Sequence, residues 1–261
     1  MLKVSNIHKT FNPGTVNEKV ALNGVTLELE EGDFVTVIGG NGAGKSTLLN
    51  AIAGVWNVDS GSITIDNDDV TNLPEYKRAC YIGRVFQDPM NGTAATMQIE
   101  ENMALASRRG KKRTLKTGIT KEEKAQYHEL LKELGLGLEE RMTTKVGLLS
   151  GGQRQALTLL MATMNKPRIL LLDEHTAALD PKTAAKVLET TNRIVSKYNL
   201  TTFMVTHNMK DALALGNRLI MMNEGKIILD VKGEEKKKLS VEDLLKIFEA
   251  NGNVTDQVIL S

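Results

Sequence analysis

The chain has 261 residues with 33 basic against 32 acidic, so no net field draws it toward nucleic acid or an anionic membrane surface. A single cysteine, Cys80, excludes an internal disulfide and fits a reducing compartment. No run approaches the ~18 uninterrupted apolar residues of a membrane helix, and Met1–Asn6 leads into no apolar signal-peptide core.

The first third alternates. Val25–Leu29 and Ser62–Asp66 have period two, which predicts half-buried strands. Phe34–Ile38 is continuously apolar, as in a strand covered on both faces of a parallel sheet. It runs into Gly39-Gly40-Asn41-Gly42-Ala43-Gly44-Lys45-Ser46-Thr47, which fits G-x-x-x-x-G-K-[ST], and Ser46–Ala53 then predicts a helix ending near Gly54. Strand, glycine loop and helix together are the context a phosphate cradle requires. Trp56, just beyond, is expected to be a packing residue.

From about Pro89 to Lys145 the periodicity becomes helical and the composition charged. Lys121–Leu134 is amphipathic, with Tyr127, Leu130, Leu131 and Leu134 on one face. The basic run Arg108–Arg113 lacks interleaved aromatics and is expected to be a solvated loop between two helices. Leu149-Ser150-Gly151-Gly152-Gln153 precedes a predicted helix, Gln153–Met164. A buried strand (Arg168–Leu172), a helix (Lys182–Tyr198) and a strand (Thr201–Thr206) follow. Leu219–Met222 and Ile227–Leu229 are expected to pair around Glu224-Gly225, and Ser240 with Asp243 frames a capping box for a helix Val241–Ala250.

Several of these residues carry chemistry. Gly39, Gly42 and Gly44 let successive N–H groups turn toward a polyphosphate, with Asn41 and Thr47 in the same loop. Lys45 is expected to reach the β- and γ-phosphates and Ser46 to ligate Mg²⁺. The apolar run ending in Asp173-Glu174 delivers Asp173 to the edge of a sheet as a second Mg²⁺ ligand, with Glu174 placed to polarise water as general base. In isolation the pair also fits an acidic strand end leading into a turn, but its position after Leu149–Gln153 and before Ala178-Leu179-Asp180 makes that reading poor. Gln87 and His207 are weak signals singly; an imidazole at His207 would reach a γ-phosphate. Ser150 and the Gly151-Gly152 backbone begin a helix, giving a second N-terminus suited to an anion.

Taken in order, these elements resemble the ATP-binding-cassette family from about Met1 to about Val231. The resemblance implies an α/β P-loop NTPase fold with a mostly parallel core sheet, an N-terminal antiparallel β subdomain and an inserted α-helical subdomain. It implies an ATPase domain over 1–231, the helical part over about 89–155, and a short helical extension over 232–261. It also implies ATP and Mg²⁺ as ligands, Phe11 stacking on adenine, and Gln87 contacting Mg²⁺ or the attacking water. Ser150, Gly152 and Gln153 of one copy would close on the nucleotide held by Lys45 of another, with Asp180 joining the halves. The expected partners are a second cassette, transmembrane permease subunits and, indirectly, an extracytoplasmic solute-binding protein, at the cytoplasmic face of the cell membrane. Asp88–Asn102 is expected to meet the permease, with Glu100 and Glu101 as its first charges to test.

Three positions depart from the pattern. Phe11 stands where tyrosine is common, His175 where proline is, and Ala177 where serine is. The run Asp173–Pro181 is similar to cassettes encoded beside binding proteins for amino acids. A soluble cassette ATPase of DNA repair or translation is the alternative. Repair members carry a long coiled-coil insert, and no sustained heptad run fills this interval; translation members usually carry two cassettes per chain.

Overall fold

Strand pairing divides residues 1–111 and 118–251, those described in this computed structural model, between two sheets. The first has the order β2-β1-β4-β5, built from β1 (Leu2–Phe11), β2 (Lys19–Leu29), β4 (Ser60–Ile65) and β5 (Asp68–Asp69), all antiparallel. Alternation does what the sequence predicts: Leu27, Leu29, Ile63 and Ile65 are buried on its inner face.

The second sheet has the order β10-β9-β3-β8-β7-β6. It contains β3 (Phe34–Gly39), β6 (Ile82–Val85), β7 (Ile169–Asp173), β8 (Thr202–Val205), β9 (Arg218–Asn223) and β10 (Lys226–Lys232). The first five run parallel, and β10 closes the edge as the antiparallel half of the expected hairpin. Strand β7 explains why continuous apolar runs predict this layer. Ile169 and Leu171 enter one core, Leu170 and Leu172 the other, so none of these four faces water.

Helix α1 (Lys45–Ala53) lies between the sheets, and its Leu48 and Ile52 share a core with Val4, Leu29, Val37 and Phe203. Its C-terminal carbonyls are held by an internal cation. Arg78, on the short α2 (Glu75–Arg78), is buried and donates to Ala51 O at 2.7 Å and Ile52 O at 2.8 Å.

On the other face, α3 (Ile99–Ser107), α4 (Lys121–Lys132), α5 (Gly151–Thr163) and α6 (Pro181–Tyr198) assemble around Met103, Tyr127, Leu131, Leu157 and Ile194. Capping boxes begin α3 (Gln98 with Glu101), α4 (Thr120 with Glu123) and α5 (Ser150 with Gln153).

The basic run does not form a solvated loop throughout. Arg109 turns inward and donates to Ala162 O at 2.8 Å, while Arg108 caps the end of α3 through Ala104 O at 2.7 Å and pairs with Glu123. Backbone carbonyls at the ends of α3 and α5 need donors, and two of the arginines supply them. Lys112 and Arg113 lie outside the described residues.

Helices α7 (Met209–Ala214), α8 (Glu234–Lys237) and α9 (Val241–Ala250) complete the chain. The predicted Ser240–Asp243 box is present, and Leu244 and Phe248 of α9 pack on Met209 and Ala212 of α7. Lys236 is buried and hydrogen-bonds Leu215 O and Gly216 O in the turn after α7, and burial pulls its ammonium down to about 8. The tail therefore braces the helix that follows His207. The remainder of the expected extension, 252–261, is outside the described residues.

Candidate active site

Parallel strands bring their C-terminal ends to one edge, and the chemistry-bearing residues leave the sheet there. Gly39 ends β3 and Asp173 ends β7. Val85 pairs with Leu172, so Gln87 leaves the sheet beside Asp173. Asp173 pairs with Val205, two residues before His207.

The glycine loop wraps the N-terminus of α1. Gly42 (φ +78°) and Gly44 (φ +100°) occupy left-handed backbone, and a Cβ on Gly44 would lie 2.5 Å from Ala21 O. Lys45 is 7% exposed, and its Nζ donates to Gly39 O at 2.7 Å and Gly40 O at 3.0 Å. The ammonium is thus folded back into its own loop, where a phosphate oxygen could replace neutral carbonyls as a stronger, charged acceptor.

A cleft of about 360 Å³ stands over this loop. It brings together Phe11, Asn41, Gly42, Gly44, Lys45, Ser46, Thr47 and Glu174. Phe11 faces the cleft and sits edge-on to Trp56 with ring centroids 5.5 Å apart; Trp56 is exposed rather than packed in the core, its ring contact being with Phe11. Lys19 also lines the cleft and was not singled out from sequence; a lone lysine at a strand start carries no pattern that marks it.

Glu174 has φ +43°, and its N–H donates to Val205 O at 3.0 Å. That left-handed turn separates its side chain from that of Asp173 and directs it to the cleft. His207 Nδ1 lies 3.5 Å from Glu174 Oε2. Burial raises the Asp173 carboxyl above its ordinary value, opposed by the positive charge of Arg84 and reinforced by Glu174. His175, the residue in place of the usual proline, is buried, with Nε2 3.1 Å from Thr191 Oγ1 on α6, and burial lowers its imidazole to about 4. It is a neutral tether between the acidic turn and α6.

Ser150, Gly152, Gln153 and Asp180 do not line this cleft. They form a second group, where α5 meets α6. Ser150 Oγ accepts from Gln153 N at 3.3 Å, and Asp180 Oδ1 accepts from Thr183 N at 3.1 Å, so each caps a helix. Gly152 is glycine for packing: a Cβ would come within 2.2 Å of Thr183 Cγ2. Gln87 is exposed beyond β6. Gln155 of α5 fixes that exit by donating to Phe86 O at 3.1 Å.

Ser46 lines the cleft and offers a hydroxyl, and Asp173, which ends β7 outside the cleft lining, offers a carboxylate; these are oxygen donors of the kind Mg²⁺ takes.

Comparison with known proteins places the chain. Residues 22–177 match the family model described as ABC transporter. A tyrosine transport ATP-binding protein of Clostridioides difficile is 47% identical over 249 residues, covering 95% of this chain and 99% of the relative. Among solved structures, the dimeric post-hydrolysis state of the ATP-binding cassette MJ0796 bound to ADP and Pi superposes with a TM-score of 0.74 at 32% identity, covering 89% of this chain and 98% of that one. The cbiO1 structure from Clostridium perfringens, part of the ABC transporter complex cbiONQ, gives 0.76 at 26% identity, covering 94% and 92%.

Proposed function

The chain belongs to the ABC transporter family as an ATP-hydrolysing subunit, and from that membership we propose that it drives import of a small solute, an amino acid in the first instance. It does so as a nucleotide-bridged dimer on separate permease subunits at the cytoplasmic face of the membrane. None of the described helices is long and apolar enough to cross a membrane. The amino-acid assignment is supported by the C. difficile relative, whose name specifies tyrosine transport.

In this reading ATP lies in the cleft over the glycine loop, with adenine against Phe11 and the phosphates along residues Gly39 to Thr47. Lys45 exchanges its loop carbonyls for β- and γ-phosphate oxygens. Ser46 and Asp173, with Gln87 at the same sheet edge, would hold Mg²⁺, which offsets the negative charge of the phosphates when bound. Glu174 accepts a proton from the attacking water, and His207 hydrogen-bonds the γ-phosphate and steadies the developing charge. The α5 N-terminus, with Ser150, Gly152 and Gln153, supplies its N–H groups to the γ-phosphate held by another copy, and Asp180 lies at the seam between them.

One observation carries the coupling role: a second cleft, of about 430 Å³, lies beside the Gln87 loop. Its wall runs from Arg84 and Phe86 through Asn91–Ala94 to Leu105 of α3, so it touches the nucleotide-side strand and the helical subdomain at once. A permease helix seated there would be moved when two cassettes close. Glu100 and Glu101 are poor probes of this surface. Glu100 pairs with Lys124 at 2.9 Å, and Glu101 Oε2 accepts from Gln98 N at 2.7 Å in the α3 capping box, so both are committed to the helical subdomain. Leu105, 57% exposed on the groove, is the better one. Leu105→Glu should abolish co-purification with the permease partner and amino-acid uptake in reconstituted vesicles, while basal ATP hydrolysis stays within about twofold, as for a surface change. Retained permease binding by Leu105→Glu would remove this groove as the docking surface; a wild-type chain that binds no permease, with ATPase activity stimulated by DNA or ribosomes instead, would favour the soluble alternative.

A further inference from the structure

Arg84 is the one charged side chain of β6; it lines the groove and approaches Asp173 at the end of β7. Its Nη2 lies 2.7 Å from Asn50 Oδ1 on α1 and 3.6 Å from Asp173 Oδ2. Its Nη1 lies 3.6 Å from Glu75 Oε1 at the rim of the groove. The guanidinium stacks over the Phe86 ring, 4.4 Å from its centroid. Only 13% of the side chain is exposed, yet Nε is buried with no hydrogen-bond partner.

This is an unusual way to hold an arginine. A settled buried guanidinium takes a carboxylate in a two-pronged bond at about 2.8 Å. Here each carboxylate sits 3.6 Å away, Glu75 from Nη1 and Asp173 from Nη2, and a neutral amide oxygen makes the one close contact. Arg78 is the contrast, with every nitrogen donating to a backbone carbonyl. Shifting such a half-satisfied cation toward either acid breaks no carboxylate hydrogen bond already formed.

We infer that Arg84 is a positioning residue that acts as the internal counter-cation of Asp173, competing with Mg²⁺ for that carboxylate and yielding toward Glu75 when the metal enters. The inference rests on the reading of Asp173 as a metal ligand and goes beyond it. A divalent cation at Asp173 repels the guanidinium and removes its partner, and Glu75, 3.6 Å from Nη1, is the other acid within reach. Because the competition is a linkage, it runs both ways: whatever engages Glu75 from the groove returns Arg84 to Asp173 and loosens the metal.

The test uses the full chain and a fluorescent ATP analogue, with its affinity measured in excess EDTA and in excess Mg²⁺. The ratio of the two affinities reports how strongly the protein favours the metal, without any turnover. Arg84→Met should raise that ratio by about fivefold or more, a modest value for coupled sites. Arg84→Lys should return it to the wild-type value. Glu75→Gln, a half-exposed change that leaves the core untouched, should lower it, because Arg84 then has only Asp173 to lean on. A purely structural arginine would weaken binding under both conditions and leave the ratio alone. An Arg84→Met ratio within about twofold of wild type, or a Glu75→Gln ratio that rises, overturns the proposal. Asp173→Asn separates the two layers. It should collapse the ratio toward one, and a ratio that survives it removes Asp173 as the ligand whatever the Arg84 variants do.

Discussion

Glu174→Gln should cut ATP turnover by about 10²-fold or more, the usual scale for a lost general base, while nucleotide binding persists. The substitution keeps the side chain's length and its place in the cleft, and it changes only the group able to accept a proton. Glu174 is held by a left-handed turn whose N–H is fixed to Val205 O at 3.0 Å, so the backbone has no reason to move. His207, 3.5 Å away, loses an acid but keeps its own ring nitrogens for the γ-phosphate. Single-turnover hydrolysis of radiolabelled ATP, beside binding of a fluorescent analogue, checks both halves. Near-normal turnover by the folded variant removes Glu174 from the chemical step.

Lys45→Ala should act earlier, on binding. Its ammonium is the buried cation of the loop, so truncation removes a charge-assisted contact worth about 1.5–3 kcal/mol, roughly 10- to 100-fold in ATP affinity. The carbonyls it now satisfies, Gly39 O and Gly40 O, would be left without that donor, which adds a local cost to the loop itself. The contrast with Glu174→Gln is the informative part: one variant binds and does not turn over, the other fails to bind. Equal ATP affinity for Lys45→Ala and wild type would mean the phosphates lie elsewhere.

Much of this site was legible in the sequence because its residues are tied to local geometry. Gly42 and Gly44 need left-handed backbone, Ser150 with Gln153 and Ser240 with Asp243 are caps readable from their spacing, and β7 shows itself by an unbroken apolar run. Residues whose role depends on distant partners were not legible. Strand β1 breaks its own alternation with register shifts after Val4, near Asn6 at φ +47°, so its period-two signal is diluted. Strand β6 reads Ile-Gly-Arg-Val. Gly83 is there because a Cβ would meet Ala162 O at 2.5 Å, and Arg84 because it reaches Asp173. Gln155 and Phe86, or Arg109 and Ala162, are more than fifty positions apart and meet only once the helical subdomain is docked. Glu100 and Glu101 looked like surface charges because ion pairs and capping boxes use the same residue types.

Lys45 lines the nucleotide cleft, and Ser150 at the α5 N-terminus does not. If each site is completed by a second copy, nucleotide is what holds the copies together. Light scattering of Glu174→Gln with and without ATP tests this most directly. The prediction is a monomer without nucleotide, a dimer with ATP, and loss of that dimer on adding Ser150→Arg. A dimer that forms without ATP and ignores the Ser150 substitution would contradict it.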